Sequence, residues 1–510
     1  MLSWLKGDKV DHPLANAKAA QTIVDAFPYR DPWKTLEDVN YWLSSVNETT
    51  DFKVLQRFEV MDMLDLATRK AQDQLLHNYL ALPEGDHIHE KRIWKTATDF
   101  WKLLGDGYLI CLKQASEPKA VSGEFKPQLP VVSARTLRAL RQQMKWILMR
   151  YGVIRASFWG DIGHCMTFAE SVDVAQTEVE VYPGVAHSAV VQEFLGVMLF
   201  WASSPSGLSP REQDIAERLV FNLTPKFRYD AASWDGCDFC FDLGTLRPPL
   251  RLVPTTPVSE STRYFDVTDG RPAVQAMFEL AAGGRMPPRV DVGSVTDSAI
   301  VARVLKHIIF NWAKEMPARA SERRKTALRL FVVHGYQNVL SAIEPSAGSD
   351  IPDKLPHDVW VAADVCAGGY GVIVPAGKGD WLCVGLLLAV RSEMEKNWNI
   401  GIIRRVKGDD HNQRQVGIQL ISKVPVPIYL RSLTGVEHGT RRQHAVLLST
   451  RASPNGSMHI VAKRDLFVGR ERLEAMYGNP PQAAVFETGA IMETGQDFEW
   501  LRYKLAEATA

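Results

Sequence analysis

Cysteine is scarce, with 6 residues in a chain of 510, and all but Cys237 and Cys240 are isolated in the sequence. That excludes the disulfide framework of a small secreted module. Net charge is absent too: 59 Lys and Arg stand against 59 Asp and Glu. This excludes a generally basic nucleic-acid coat and leaves only local patches. No run approaches the ~18 apolar residues of a membrane-spanning helix, since the longest candidates, 194–202 and 381–390, have the length of a buried helix or strand. The opening residues, Met1 to Lys9, carry no apolar stretch of a signal peptide. Also missing are Gly-x-Gly-x-x-Gly, a Gly-Lys-Ser/Thr phosphate loop and a Gly-x-Ser-x-Gly elbow, so nothing supports an enzyme. What is present is 46% apolar residues, enough for roughly three globular domains at ~150 residues each. The expectation is a non-enzymatic, soluble, cytoplasmic protein of several domains.

The first half reads as helix. Asp31-Pro32 gives an N-cap followed by proline at the first helical position, and Trp33, Leu36, Val39, Trp42 and Leu43 then recur at helical spacing. Residues 51–80, 89–115 and 137–151 continue in that style, and their tryptophans, such as Trp94 and Trp101, fit a helical core. Ser209-Pro210-Arg211-Glu212 has capping-box spacing and predicts a helix to about Leu223. A last helix is expected from Val295 to Glu315, stopped by Pro317. Residues 225–288, rich in proline and glycine, read as short strands or irregular loops. No internal repeat of fixed period is visible.

After Arg323-Arg324-Lys325 the character changes. Residues 328–333, 359–365, 371–374, 381–390, 398–406 and 416–421 are apolar β-type stretches. Turn-rich segments at 345–356, 377–380 and 407–415 separate them. Such spacing predicts a small antiparallel barrel or sandwich. Strand-like pieces follow at 444–449 and 458–462, and 497–506 reads as a closing amphipathic helix. The expected division is a helical domain over 1–223, a mixed linker over 224–320 ending in a helix, a barrel over 321–430, and an α+β extension over 431–510 that completes or decorates the barrel. The fold class is α+β multidomain, mainly helical first and then a small antiparallel β-barrel.

The barrel segment holds the most informative residues. Arg323, Arg324, Lys325 and Arg329 stand at its entrance, followed by Asp364-Val365-Cys366-Ala367-Gly368-Gly369-Tyr370-Gly371. Later come Gly401-Ile402-Ile403-Arg404-Arg405-Val406 and Val416-Gly417-Ile418. This order resembles the PilZ domain, the bacterial receptor module for the second messenger cyclic di-GMP. That family's pattern is Arg-x-x-x-Arg, then Asp/Asn-x-Ser-x-x-Gly, then Gly-x-(Val/Ile)-x-Arg and Val-Gly-(Ile/Val) strands. Asp364, Cys366 and Gly369 fall on the second motif, with cysteine where serine is usual. Strict spacing back from Arg329 gives Lys325, with Arg324 one residue further off, and an insertion lies between Tyr336 and His357.

The resemblance implies a ligand, cyclic di-GMP, held by Arg324, Lys325, Arg329, Asp364, Cys366, Gly368 and Gly369. Guanidinium forks suit both its phosphates and its guanines. The Asp364 carboxylate can accept from a guanine amine or hold an arginine, and Gly368-Gly369 admits close backbone approach. Cys366 offers only a weak donor. One of Arg404 and Arg405 is expected to face outward as surface charge or a secondary contact, less important than Arg329. The implied function is a signal-transduction receptor that couples nucleotide binding, at the junction after the helical region, to a conformational change and an unidentified protein partner. Neither a nucleic-acid polymer, a metal nor a cofactor is expected. The alternative is an adaptor or structural protein whose degenerate PilZ-like barrel no longer binds nucleotide.

Other candidates are weaker. Cys237-x-x-Cys240 lacks the second pair of a zinc site. Asp86 to Glu90, with His87 and His89, reads as a solvated loop after Pro83-Glu84-Gly85. His164-Cys165 are adjacent, so their side chains diverge, and His334 is expected at a strand end.

Overall fold

The computed structural model describes residues 10–83, 85–117, 122–288, 290–314, 321–344, 356–375, 377, 379, 381–411, 413–433, 442–453, 456–464, 472–477 and 482–506. The expectations for residues 1–9, for Glu315 and Pro317, and for nearly all of 345–356 lie outside that set. The chain divides into two compact units, 1–316 without 206–209, and 317–510 with 206–209.

The first unit is built on α1 (Ala17–Asp25), α2 (Pro32–Glu48), α3 (Val54–Leu80), α4 (His87–Ala115), α5 (Leu129–Met149) and α6 (Ala156–Ser171). The two-residue strands β1 (Glu178–Val179) and β2 (Ser188–Ala189) lead to α7 (Val190–Ala202) and α8 (Pro210–Leu223). Asp31 caps α2 as its sequence predicts, accepting from the Lys34 amide at 3.1 Å. Residues 225–288, expected as short strands or irregular loops, hold a helix at 271–282 as well as short strands, β3 (Tyr229–Asp230), β4 (Phe239–Asp242), β5 (Leu250–Arg251) and β6 (Thr262–Phe265), which form one sheet of order β3-β6-β4-β5. Helices α9 (Arg271–Ala282) and α10 (Ser298–Asn311) follow. Arg263 on β6 grips Glu170 on α6 at 2.6 Å, tying the sheet to the helices.

Helix α5 carries a buried charged stripe. Arg135, Arg138, Arg141 and Lys145 recur every three or four residues and therefore share one face. Lys145 donates to Asp214 at 2.8 Å and to Glu217 at 3.2 Å, while Arg138 pairs with Glu193. Beside them Tyr108 and Tyr182 each donate to Asp65 at 2.8 Å. Every cation of the stripe meets a carboxylate, which is the condition for keeping charge inside a core.

The second unit contains two barrels. The first comprises β7 (Arg324–His334), β8 (Asp358–Cys366), β9 (Gly369–Val374), β10 (Leu387–Ser392), β11 (Asn399–Gly408) and β12 (Arg414–Ser422), with α11 (Tyr336–Ile343) between β7 and β8. It closes in the order β10-β11-β12-β9-β8-β7, every pair antiparallel. Alternation sets the interior: Leu330, Val332, Trp360, Ala362, Val372 and Val406 are almost wholly buried, and each of the leucine and valine side chains contributes about 1.5–3 kcal/mol by leaving water.

Residues 431–510 do not complete that barrel, which is closed without them. Strands β13 (Val426–Ser432), β14 (Gln443–Leu447), β15 (Ser457–Lys463), β16 (Leu473–Tyr477), β17 (Gln482–Thr494) and β18 (Phe498–Leu505) form a second closed barrel around Leu430, Leu447, Ile460, Phe486 and Leu501. The helix expected at 497–506 is strand β18. Leu501 and Tyr503 line the barrel interior while Trp500 packs on its other side, against the core shared by the two barrels, so both faces are apolar and the pattern imitates a helix. Both barrels share one connectivity: counted from the first strand of each, the pairs are 1-2, 2-3, 3-6, 6-5, 5-4 and 4-1. The sequence shows no such repeat because strand connectivity does not require matching side chains.

A shared core joins the barrels. Val333, Leu387, Ala389, Ile400 and Ile402 of the first, with Val339 and Leu340 of α11, pack with Val446, Val461 and Phe498 of the second. Gly335 starts α11 with φ at 84°, a conformation suited to glycine. The Tyr336 amide donates to the Asp497 carboxylate, and its hydroxyl to the His444 carbonyl at 2.7 Å.

Candidate functional site

Directly opposed residues on antiparallel strands share a face of the sheet. Two such rows cross the outside of the first barrel. One runs Lys325–Asp364–Gly371–Gly417–Arg405 over β7, β8, β9, β12 and β11. The other runs Arg329–Val361–Ile373–Gln415–Lys407 over the same five strands. Their neighbours Trp360, Ala362, Val372, Val416 and Val406 fill the interior, so the rows lie on the outer surface. Lys325, Arg329, Arg405 and Lys407 are exposed, and Val361 is 46% exposed. The result is a floor of two facing glycines with cations at both ends and one carboxylate beside it.

Asp364 is the fixed point of this surface. Its Oδ1 accepts from Arg323 Nη1 at 2.8 Å, and both side chains remain about a third exposed, at 36% for Arg323 and 30% for Asp364. The carboxylate rests where a Cβ on Gly371 would stand, with Oδ2 at 2.5 Å and Oδ1 at 2.7 Å from that position. Gly371 is therefore the residue that lets Asp364 lie flat on the sheet. β-bulges at 325–328 and 362–364 bring the basic entry and Asp364 into line.

The residues expected to bind ligand divide accordingly. Lys325, Asp364 and, one row away, Arg329 are brought together. Arg324 opposes Val365 and falls out of the row. Cys366 and Gly369 oppose each other, with Gln419 next in line. The glycine at 369 answers a packing demand, because a Cβ there would collide with the Ile418 carbonyl oxygen, whereas Gly368 is exposed with open space around it. The Ser321 hydroxyl, then the Gly368 amide, the Arg323 charge and the Gly369 amide hold the Cys366 thiol below its ordinary pKa, against slight burial.

Three positions were not singled out from sequence as ligand residues: Arg323, Gly371 and Gly417. Arg323 stands first in the basic run, but no spacing shows which of its members meets Asp364. Gly371 and Gly417 stand in quoted motifs, and only their register shows that they oppose each other. Arg404 and Arg405 separate as one residue paired to the second barrel and one exposed residue. A register shift between Ile403 and Arg405 makes Arg404 the bulged residue. Arg404 donates to Gln419 Oε1 at 2.7 Å and to Glu493 at 2.5 and 2.8 Å. Arg405 joins the row with Asp364.

The other candidates find structural roles. Residues 87–90 are the first turn of α4 and not a loop, with Asp86 as its N-cap accepting from the His89 amide at 3.3 Å. Cys237 donates to the carbonyls of Phe239 and Phe265 at 3.3 and 3.4 Å. Burial raises the Cys165 thiol and lowers the His164 imidazole, the opposite of an activated pair. His334 ends β7, stacked on Trp381 with centroids 3.7 Å apart. Among the described residues no group of three or more His, Cys, Asp or Glu is placed to hold a metal ion, and no helix is long and apolar enough to cross a membrane.

Two family profiles match the chain. Residues 18–232 match the N-terminal domain of the cyclic-di-GMP receptor FimW, and residues 352–427 match the middle PilZ domain of the same family. Asp364, Cys366, Gly368 and Gly369 lie within the second match, and the basic entry strand precedes it. No curated protein matches the chain. Together the two matches span more than half of the 510 residues and agree with the helical unit and the first barrel. The chain belongs to the PilZ-domain proteins, in the cyclic-di-GMP receptor family described as FimW.

Proposed function

We propose that the protein is a receptor, not an enzyme, that binds cyclic di-GMP on the outer face of the first barrel and presents the occupied state to a protein partner. The observation that supports this most is the row Lys325–Asp364–Gly371–Gly417–Arg405. A doubly anionic ring needs cations spaced across a surface and a low floor, and the facing glycines supply that floor, with only the flat Asp364 carboxylate lying over Gly371. Arg405 and Arg329 offer guanidinium forks to phosphate or to the guanine O6/N7 edge. Lys325 adds a point charge. Asp364 accepts from a guanine amine, and the Arg323 it already holds stands ready to stack on a base. Cys366 sits at the margin with its sulfur facing amide donors, so the serine hydroxyl usual in the family is replaced by a weaker polar group.

The test is titration calorimetry with cyclic di-GMP, using GMP as control. Each lost charge-assisted contact removes about 1.5–3 kcal/mol, so R329A, D364A and R405A should each weaken binding roughly 10- to 100-fold. Failure of the unmodified protein to bind would support the degenerate-barrel reading instead. Binding at wild-type strength in all three variants would remove the ligand from this face.

A further inference from the structure

Resting on that reading, we propose that the second barrel receives the nucleotide signal and that Arg404 is the positioning residue that carries it. Arg404 and Arg405 are consecutive, and on a regular strand they would occupy opposite faces. The bulge at Arg404 re-aims its side chain. Arg405 stands over Gly417 in the ligand row, while Arg404 reaches Glu493 on β17 of the second barrel. Glu493 also follows a register shift, between Ile491 and Glu493. Irregularities in both barrels thus meet at one bidentate ion pair, only 35% exposed at Arg404 and 18% at Glu493.

The third bond of Arg404 closes the link. Its Nε donates to Gln419, which opposes Gly369, and the next residue, Leu420, donates its amide to the Gly368 carbonyl at 2.8 Å. Arg404 is therefore bonded at once to the strand behind Gly368 and Gly369 and to the second barrel. Holding the bulge fixes the place of Arg405. A ligand that engages Arg405 must in turn stabilise the bulge, and with it the Arg404–Glu493 pair, because coupling between sites is reciprocal. Three of the strands that would carry a corresponding row in the second barrel have part of their outer face covered. Its strands β14, β15 and β18, equivalent by connectivity to β8, β9 and β12, turn Val446, Val461 and Phe498 into the shared core.

The experiment compares hydrogen exchange of residues 487–494 in the full chain, with and without saturating cyclic di-GMP, in wild type, R404Q and E493Q. Calorimetry runs alongside, and circular dichroism confirms folding. Nucleotide should slow exchange there in wild type, and both variants should lose that protection while still saturated. Affinity should fall about 2- to 30-fold, the range in which residues coupling two sites act. The reversed pair R404E/E493R should recover part of both effects. Wild-type binding with unchanged exchange at 487–494 overturns the link and leaves the receptor reading standing, as does protection that persists in saturated R404Q. Absence of binding in wild type overturns both.

Discussion

Replacing Gly371 or Gly369 by alanine separates the site from the scaffold within two residues. At Gly371 the new methyl first meets the Asp364 carboxylate, which stands 2.5–2.8 Å from the Cβ position. That side chain can rotate away at the expense of its bond to Arg323. The pair is partly exposed, so its loss costs about 1 kcal/mol or less, and the alanine returns about 0.4–1 kcal/mol by restricting the unfolded chain. G371A should therefore melt within about 3 °C of wild type yet bind cyclic di-GMP roughly 10- to 100-fold more weakly, since Asp364 no longer lies on the floor. At Gly369 the obstacle is the Ile418 backbone carbonyl, which cannot rotate away. β12 must retreat from β9, breaking ladder bonds and leaving buried polar groups unpaired at about 1–3 kcal/mol each. A total near 4 kcal/mol lowers the melting temperature of the barrel unit by about 8–16 °C. Scanning calorimetry and isothermal titration read the two effects. A G371A protein that binds as wild type refutes the role of Asp364, and a G369A protein that melts as wild type refutes the packing argument.

Other expectations are as direct. Cys366 should be alkylated by iodoacetamide at pH 7.5 faster than the other five cysteines, because Ser321 and the neighbouring amides lower its pKa while burial raises those of Cys111, Cys165, Cys237 and Cys240. Cyclic di-GMP should slow that reaction; peptide mass spectrometry measures both. The helical unit should be acid-labile. Burial raises the Glu217 pKa, but Lys145, Arg141 and Arg218 outweigh it and bring the group down to about 2. A depressed carboxylate stabilises the fold above its unfolded pKa, and that stability is lost as pH falls from about 4.5 towards 2. Circular dichroism against pH should show the loss, and E217Q, which leaves Lys145 with Asp214 alone and Arg141 with Glu193 alone, should cost about 1–3 kcal/mol at neutral pH.

Much of this architecture was legible because short-range chemistry writes it plainly. Asp31-Pro32 announces a helix start, apolar residues at helical spacing build the first unit, and the ordered Asp364, Gly369, Arg405 and Val416-Gly417 motifs mark a PilZ barrel. Other features were hidden for identifiable reasons. The α5 stripe of Arg135, Arg138, Arg141 and Lys145 looks like a solvated face until α3, α7 and α8 bring carboxylates against it. Phe498 to Leu505 reads as a helix because Phe498 and Trp500 on one side of strand β18 pack in a core as well as Leu501 and Tyr503 on the other.

By itself, then, the sequence determined most element types, though not strand β18 or helices α9 and α11, together with the order of the motifs and the residue classes able to meet a doubly charged dinucleotide, since propensity and charge act locally. Tertiary structure alone decided that Arg323 rather than Arg324 holds Asp364, that Gly371 faces Gly417, and that Arg404 turns to a second barrel while Arg405 stays with the first. Those are matters of strand register and bulges, fixed by pairings between residues far apart in the chain.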